Sequence, residues 1–402
     1  MIHYHRLGDV PPKHHVTHHH EGKLLMEQCM TRAGFDSTYS TLYYKIPPTD
    51  ECAVGEMTLP GFCPIAPVAR QPLHRRHLRT QDLDVAGDFL TARRTILIND
   101  DVRIGICKPN KPAGDFFSNG DGDECWFAYA GGGTLESVYG ILPFKKHDYV
   151  IIPKGTPYRL HGEGDAGIFL VFESSSYIDV PKQFRNASGQ VSMDAPYCHR
   201  DFRFPQELLS FDPSRHGTGP YPLIVKFGNE ITVHKFEHFP WDVVGWDGFS
   251  YPVAFNIHDY QPRTGAIHLP PTIHVTFAGR GFIICSFVPR KVDYYHDGNG
   301  HQAIPCPYGH ASVDCDEILY YVEGNFTSRK GIEPESISYH PMGIPHGPHP
   351  GTYQGSIGHE RTSELAVMCD TFLPLKLTDV ADAIEDKEYH YTWVKRIDSA
   401  MK

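Results

Sequence analysis

The sequence lacks several features that mark membrane, zinc-ribbon and nucleic-acid-binding proteins. None of its apolar runs approaches the roughly 18 residues that a membrane-spanning helix needs. Its ten cysteines include no pair separated by two residues, which disfavours a zinc ribbon or a thioredoxin-like redox site. Lysine and arginine number 37 against 48 aspartates and glutamates, a net charge of −11. Because nucleic-acid binding relies on clustered positive charge, we predict neither a membrane nor a nucleic-acid partner.

The sequence also lacks a secretory signal, a phosphate-binding loop and extensive helical periodicity. The N-terminal stretch MIHYHRLGDVPPKHH has no apolar segment typical of a secretory signal, so we expect a cytoplasmic protein with reduced thiols. The glycine run 131–133 is not followed by Gly-Lys-Ser/Thr, which argues against a phosphate-binding loop. Helical periodicity is rare, although residues 23–34 predict one short helix. The recurring β-branched and aromatic runs predict an all-β chain with a few short helices.

The most informative stretch runs from residue 308 to 349 and places two histidines and one glutamate at a characteristic spacing. His310 and Glu317 fit the form H-x-S-x4-E-x6-G, and a later P-x-G-x2-H motif ends at His346. The Pro-x-Gly turn at 341–343 would direct His346 into the same barrel. Two imidazoles and one carboxylate can hold one face of a metal and leave the other open, which suits non-haem Fe(II) and its oxygen chemistry. The alternative is that all three are ordinary strand-end residues, which the presence of both motif halves disfavours.

Both motif halves resemble the signature of the cupin superfamily, with Ser312 where a second histidine is usual. Similar spacing occurs earlier in the chain, where Glu124 stands in the glutamate position and Tyr158 in that of the last histidine. This pattern indicates an internal duplication whose first copy has lost its metal ligands. We therefore predict a two-lobed cupin-like (bicupin) β-sandwich or jelly roll. Residues 1–250 would form a β domain with a degenerate, metal-free barrel, and residues 251–402 would carry the iron site.

Several stretches also resemble the homogentisate 1,2-dioxygenase family in its shorter bacterial form. They span nearly the whole chain and read LGDVPPKHH, GFDSTYSTLYYKIPPT, PCPYGH, DEILYYVEG, PMGIPHGPHPG and RTSELAVMCDTFLPL. The resemblance implies an Fe(II)-dependent ring-cleaving dioxygenase that binds a small aromatic substrate and O2. It also implies a homo-oligomer, either a trimer or a hexamer of two trimers. The iron ligands that it carries over are His310, Glu317 and His346.

The same resemblance implies roles for residues around the metal. His268 matches a histidine that acts as acid–base beside the substrate hydroxyl, although on the residues alone a loop histidine bonded to backbone is the favoured interpretation. His340 matches a second active-site histidine that would orient the substrate, with Tyr339 beside it. Longer family members carry an asparagine and a tyrosine near the substrate where this chain has Ser312 and Phe326. Two polar contacts to the substrate would then be missing.

The predicted reaction opens homogentisate with O2 to maleylacetoacetate, a step of tyrosine and phenylalanine catabolism. One alternative is the same chemistry on another hydroquinone-type aromatic acid, such as a gentisate-like compound. Another is a metal-binding cupin without enzymatic activity. That alternative requires a fourth protein ligand that closes the site, and Ser312 in the usual second-histidine position argues against it.

Overall fold

Short strands make up most of the regular structure of this protein. The computed structural model describes residues 3–69, 72–84, 86–264, 274–292, 296–326 and 328–393. In chain order the strands are β1 (His5–Gly8), β2 (His19–His20), β3 (Lys23–Leu24), β4 (Met26–Thr31), β5 (Tyr39–Tyr44), β6 (Ala53–Met57), β7 (Arg76–Leu78), β8 (Arg93–Ile98), β9 (Val102–Cys107), β10 (Phe116–Asn119), β11 (Glu124–Ala130), β12 (Gly133–Ser137), β13 (Gly140–Phe144), β14 (Asp148–Ile152), β15 (Tyr158–Gly162), β16 (Ile168–Ser174), β17 (Phe202–Arg203), β18 (Tyr221–Phe227), β19 (Glu230–Phe236), β20 (Val243–Gly248), β21 (Val253–Asn256), β22 (Val275–Gly279), β23 (Phe282–Phe287), β24 (Asp316–Glu323), β25 (Ser336–His340), β26 (Leu365–Thr371) and β27 (Lys376–Leu377). The α-helices are α1 (Pro213–His216), α2 (Thr352–Gly355) and α3 (Asp379–Ala383). Across the described ranges, no helix has the length and apolar character to cross a bilayer.

The chain divides into two compact units, of which the first consists of Met1–Ala66, Asp84–Thr95 and Arg103–Asp259. One of its sheets has the strand order β13-β12-β15-β10-β18-β19-β6, and another contains the run β17-β21-β14-β11-β16-β9. Because strand side chains alternate between faces, each sheet turns one apolar face inward. Buried residues from both sheets, such as Leu135 and Trp126, form the core of this unit.

The predicted helix at residues 23–34 is wrong. Most of this stretch forms the short strand β3 and the strand β4, and β4 pairs antiparallel with β5 along its whole length. Leucine, methionine, glutamate and glutamine favour a helix in isolation. Here the mostly buried strand β5 supplies a ladder of backbone hydrogen-bond partners, and this tertiary context outweighs the local preference.

The second unit consists of Pro67–Leu83, Ile96–Val102 and Tyr260–Lys402. Its main element is a six-stranded antiparallel sheet with the order β22-β23-β26-β24-β25-β7. The aromatic and β-branched sequence of β24, DEILYYVE, favours the central position that this strand occupies. Its neighbours in this sheet are β25 and β26, the two strands that follow it in the chain.

Side-chain alternation gives strand β24 two distinct faces. Glu317, Leu319 and Tyr321 lie on one face, which we call the site face. Beyond Glu317 this face is apolar, because Leu319 packs against a buried cluster that includes Met368 and Cys285. The sheet therefore presents Glu317 at the edge of an apolar surface.

The predicted all-β, two-lobed cupin-like fold with a few short helices is confirmed by these strands and units. The observed division differs from 1–250 and 251–402 in two respects. Residues 67–83 and 96–102 belong to the second unit, and the later boundary follows Asp259. The early segments join the second unit because β7 pairs with β25 and the end of β8 pairs with β27.

Candidate metal centre

The three side chains singled out by the motif meet at the start of strand β24. Nε2 of His310 lies 3.8 Å from Oε2 of Glu317, and Nε2 of His346 lies 3.5 Å from Oε1 of the same carboxylate. One potential ligand atom from each residue lies within 4.8 Å of the other two. We call His310, Glu317 and His346 the His–Glu–His cluster.

Backbone hydrogen bonds hold the two halves of the motif together. His310 and His346 each donate a backbone N–H to the carbonyl of the other, both at 2.8 Å. The intervening turn requires a left-handed residue, and Gly343 supplies it with φ of +74°. Its N–H donates to the carbonyl of Ser312 at 2.8 Å. The main chain thus positions both imidazoles independently of any ligand.

The ring nitrogens of both histidines are prepared for metal binding. Nδ1 of His310 lies 3.1 Å from the carbonyl of Tyr308, and Nδ1 of His346 lies 3.0 Å from the carbonyl of Ile344. A carbonyl only accepts, so Nδ1 carries the hydrogen in each ring and Nε2 is left to coordinate. Nε2 of His346 is buried and has no hydrogen-bond partner among the described residues. Two imidazole nitrogens and one carboxylate are ligands that suit a divalent transition metal, and such a metal would give Nε2 of His346 a partner.

His340 belongs to the same constellation. Its Nδ1 lies 2.8 Å from Oε1 of Glu317, and its ring stacks on that of His346 at 4.4 Å between centroids. The side chain is completely buried, and this burial lowers the pKa of His340 to about 3. A neutral His340 therefore donates its one hydrogen to Glu317 and fixes the orientation of the carboxylate.

The charges around Glu317 favour a cation. Burial alone would raise the pKa of Glu317, but its interactions with the imidazoles of His310, His340 and His346 outweigh this effect and hold that pKa well below its ordinary value. Asp370 lies directly opposite Glu317 on β26, and its Oδ1 is buried without a hydrogen-bond partner in the described part of the chain. Burial, and then the charge of Glu317, raise the pKa of Asp370 to about 8. No sequence motif singles out Asp370, whose only signal is its place at the end of the apolar run LAVMC.

The cluster is accessible from one side. The His310 side chain is 32% exposed, whereas that of His346 is 1% exposed. The apolar part of the site face, with Leu319 and Met368, lies along the same sheet. The exposure of His310 would let small molecules approach a metal held by the cluster.

Tyr339 is not brought to the cluster. It neighbours His340 on β25 and therefore points to the opposite face of the sheet. Its hydroxyl donates to Oδ2 of Asp316 at 2.8 Å and lies 3.4 Å from the carbonyl of Leu375. The hydroxyl of Tyr339 thus forms a buried hydrogen bond on the face opposite the cluster, and its predicted substrate contact stays a prediction.

The other predicted substrate residues have different surroundings. Ser312 is half-buried and binds the Gly343 turn through its carbonyl. Phe326 is buried, and its ring packs at 4.6 Å on that of Tyr321, which belongs to the site face. His268 lies outside the described residues, so its acid–base role stays a prediction.

In the first unit, the position equivalent to Glu317 is part of an ion pair. Glu124 opens strand β11, and its Oε1 accepts hydrogen bonds from Nη2 of Arg93 at 2.6 Å and from Nδ2 of Asn119 at 3.1 Å. The hydroxyl of Tyr158 donates to the other carboxylate oxygen. The two residues predicted to be equivalent to Glu317 and His346 are thus in contact, and a guanidinium neutralises the carboxylate.

Comparison with known proteins places these observations in a family. A model described as "Homogentisate 1,2-dioxygenase N-terminal" matches residues 84–257. A protein of Saccharolobus solfataricus named "Putative dioxygenase" is 35% identical over 402 residues, covering 98% of this chain and 99% of that protein. A homogentisate 1,2-dioxygenase of Rhodopseudomonas palustris is 25% identical over 279 residues, which is 66% of this chain and 59% of its own length. One of Rhizobium rhizogenes is 23% identical over 334 residues, covering 77% of this chain and 67% of the relative.

Among solved structures, a cupin 2 conserved barrel domain protein from Leptotrichia buccalis aligns with 74% of this chain and 96% of its own, with 8% identity and a TM-score of 0.32. The sequence matches carry the classification, because the archaeal relative covers both chains almost completely at 35% identity. The named relatives are dioxygenases. The chain belongs to the homogentisate 1,2-dioxygenase family of dioxygenases.

Proposed function

We propose that this protein is an Fe(II)-dependent ring-cleaving dioxygenase that converts homogentisate and O2 to maleylacetoacetate. The observation that carries the proposal is the convergence of His310, Glu317 and His346 with one open side. Both oxygen atoms of O2 enter the product as the ring opens between the hydroxyl-bearing carbon and the substituted carbon beside it. Bound at this cluster, iron supplies the means to bring ring electrons to dioxygen.

The residues of the chain have distinct tasks in this reaction. Glu317 and the Nε2 atoms of His310 and His346 would hold the metal on one side. His340 keeps the carboxylate oriented through its 2.8 Å hydrogen bond. His268 would take the proton of the substrate hydroxyl, a task that suits a neutral imidazole near pH 7.

The apolar part of the site face would receive the ring. Leu319 and Met368 offer no hydrogen-bonding groups, so they favour an aromatic body over a polar one. We further propose that the reaction is a step of tyrosine and phenylalanine catabolism. The protein would be cytoplasmic and would assemble as a homotrimer or hexamer.

A second candidate is the same chemistry on another hydroquinone-type acid, such as a gentisate-like compound. Phe326 favours it, because a buried phenyl ring replaces a polar group that longer relatives would place near the substrate. Oxygen uptake with a panel of dihydroxylated aromatic acids separates the two candidates. Turnover of a different acid without turnover of homogentisate would establish the second one.

The decisive experiment measures oxygen consumption by anaerobically handled, Fe(II)-loaded protein with homogentisate. We expect uptake by the wild type, with maleylacetoacetate as product, and loss of both iron binding and uptake in Glu317→Ala. Normal turnover by Glu317→Ala would refute the ligand assignment. Iron binding without oxygen uptake for any aromatic acid would favour a non-enzymatic metal-binding cupin.

A further inference from the structure

Two arginines lie beside the His–Glu–His cluster without a carboxylate partner. Arg329 donates from Nη1 to the carbonyl of Gly347 at 2.6 Å, and Arg75 donates from Nη1 to the carbonyl of Pro345 at 3.0 Å. Gly347 and Pro345 flank His346 in sequence. The two guanidiniums therefore form hydrogen bonds to the backbone on either side of His346, one of the proposed metal ligands.

Three fully buried arginines of this protein are neutralised, whereas Arg75 and Arg329 are half-buried. Arg76, Arg93 and Arg159 donate to Glu385, Glu124 and Glu136 at 2.5–2.6 Å. Among the described residues, neither Arg75 nor Arg329 forms an ion pair with a carboxylate. Even partial removal of a cation from water is unfavourable when no counter-charge is present. The pair therefore has unused capacity for an anion.

The unused hydrogen-bonding atoms lie on a suitable edge of each guanidinium. Nε of Arg75 and Nε of Arg329 are both buried and have no hydrogen-bond partner in the described part of the chain. Nε shares an edge of the guanidinium with Nη2, and this edge binds a carboxylate with two parallel hydrogen bonds. In Arg75, Nη2 makes only a long hydrogen bond, 3.5 Å, to the carbonyl of His390. Burial lowers the pKa of Arg75, and the charge of Arg329 lowers it further, as expected for two cations close together.

The register of the sheet indicates that Arg75 lies on the same side of the sheet as the His–Glu–His cluster. Strand β25 pairs with β24 so that His340 lies opposite Glu317, and with β7 so that Tyr339 lies opposite Arg76. Continuing the second pairing by one residue sets Arg75 beside His340. Arg75 directly precedes β7, so this extension aligns it with Glu317 and His340, and adjacent strands are about 4.8 Å apart.

Arg329 approaches the site face from the loop after β24. It interacts with the Tyr321 hydroxyl, and Tyr321 shares the site face with Glu317. Its guanidinium carbon also lies 6.0 Å from the centre of the Trp393 ring, and that of Arg75 lies 4.4 Å from the same ring. The two arginines therefore converge from different segments on one place.

We infer that Arg75 and Arg329 form a carboxylate-binding subsite that receives the acid group of the aromatic substrate and sets its specificity. The ring hydroxyls would face the His–Glu–His cluster, and the carboxylate would bind the two guanidiniums. This assignment rests on the proposed function, because it places the subsite within that active site. It selects hydroquinones with an acidic side chain over neutral ones.

The test compares two ligands that differ only in the carboxylate. Homogentisate and 2-methylhydroquinone share the ring and both hydroxyls, and calorimetry without oxygen measures their dissociation constants for the Fe(II)-loaded protein. We expect Arg329→Met and Arg75→Met each to weaken homogentisate about 10- to 100-fold, because each removes charge-assisted hydrogen bonds. Binding of 2-methylhydroquinone should stay within about twofold. Equal losses for both ligands, or no loss for homogentisate, would overturn the assignment.

Arg79→Met is the matched control. Arg79 lies in the same segment as Arg75, but it is exposed and paired with Asp82 at 2.9 Å. We expect it to leave both dissociation constants unchanged. A loss of homogentisate binding equal to that of Arg75→Met would mean that general charge, rather than the subsite, attracts the ligand, and would overturn the assignment.

A carboxylate of the chain itself is the alternative source of the anion, and Asp398 is the nearest one in sequence after Trp393. If Asp398 fills the site, Asp398→Asn should lower the melting temperature as much as Arg329→Met does. That result would overturn the substrate assignment. An unchanged melting temperature and unchanged homogentisate binding in Asp398→Asn would support it.

Chemical modification of the wild type covers the case in which the arginine variants do not fold. Phenylglyoxal reacts with accessible guanidiniums, and peptide mapping reports Arg75 and Arg329 separately. Homogentisate should protect both residues, and 2-methylhydroquinone should protect neither. Protection by both ligands or by neither would overturn the assignment. Oxygen uptake by the wild type decides the proposed reaction separately, so either idea can fail while the other stands.

Discussion

Glu317 lies in surroundings that favour a cation over a proton. Three imidazoles approach its carboxylate, and Asp370 places a second carboxyl group opposite it on the neighbouring strand. His340 is buried and neutral, so it contributes a hydrogen bond but no charge. At the residue scale, the nitrogen donors and adjacent carboxyl groups make a divalent metal the natural occupant.

The hydrogen bond from His340 should control metal affinity. We expect His340→Leu to weaken Fe(II) binding about 10- to 100-fold, because the carboxylate of Glu317 loses the group that orients it. Anaerobic Fe(II) titration followed by calorimetry measures this. An unchanged affinity would show that His340 has no positioning role.

Tyr339→Phe serves as the control on the adjacent residue and tests a second point. Its hydroxyl donates to the buried Asp316, so its removal should lower the free energy of unfolding by about 1–3 kcal/mol. Iron affinity and KM for the aromatic substrate should not change, since Tyr339 faces away from the cluster. A raised KM at unchanged stability would instead return Tyr339 to the substrate site.

At the scale of single elements, the turn before His346 decides where that ligand lies. Gly343 adopts a left-handed conformation and donates to Ser312, which ties the second motif half to the first. The Pro-x-Gly spacing predicts this turn from sequence because few residues tolerate that backbone conformation. No comparable local signal distinguished strands β3 and β4 from the predicted helix at 23–34.

Gly343→Ala should reveal the backbone cost of this turn. A Cβ at Gly343 meets no neighbouring atom within 4 Å, so the penalty is conformational and should be about 1–2 kcal/mol in chemical denaturation. Gly355→Ala is the control, because a Cβ there is equally unobstructed and Gly355 lies in helix α2, where alanine is favoured. A larger loss for Gly355→Ala would contradict this explanation.

At the scale of the whole molecule, the two units use the same motif position in different ways. In the second unit Glu317 faces imidazoles, whereas in the first unit Glu124 is neutralised by Arg93. A fixed guanidinium stands against the carboxylate, so the first unit keeps the buried acid as part of a structural ion pair.

Iron stoichiometry should separate these two roles. We expect one Fe(II) per chain in the wild type and in Glu124→Ala, and none in Glu317→Ala. Glu124→Ala should nevertheless lower the free energy of unfolding by about 3–5 kcal/mol, because Arg93 is left buried without its carboxylate. Metal analysis of purified protein and chemical denaturation measure the two effects. Loss of iron in Glu124→Ala would contradict the assignment of a structural role.

The double variant Arg93→Met/Glu124→Leu provides the internal control. Replacing both charges with apolar groups of similar size removes the unpaired charge as well as the ion pair. We therefore expect it to be more stable than Glu124→Ala. A double variant that is less stable would show that the ion pair itself contributes most of the stability.

Local sequence patterns were enough to predict the all-β class and the three residues of the His–Glu–His cluster. These depend on local patterns: period-two alternation, a glycine that the turn requires, and histidines at fixed spacing from a glutamate. Strand pairing was needed to show that Asp370 lies opposite Glu317, that Tyr339 faces away from the cluster, and that the segment of Arg75 lies next to β25. Strand register brings together residues that are distant in the chain, and shifting it by one residue moves every side chain to the other face. Because that register is set by pairing between strands, no local stretch of sequence contains it.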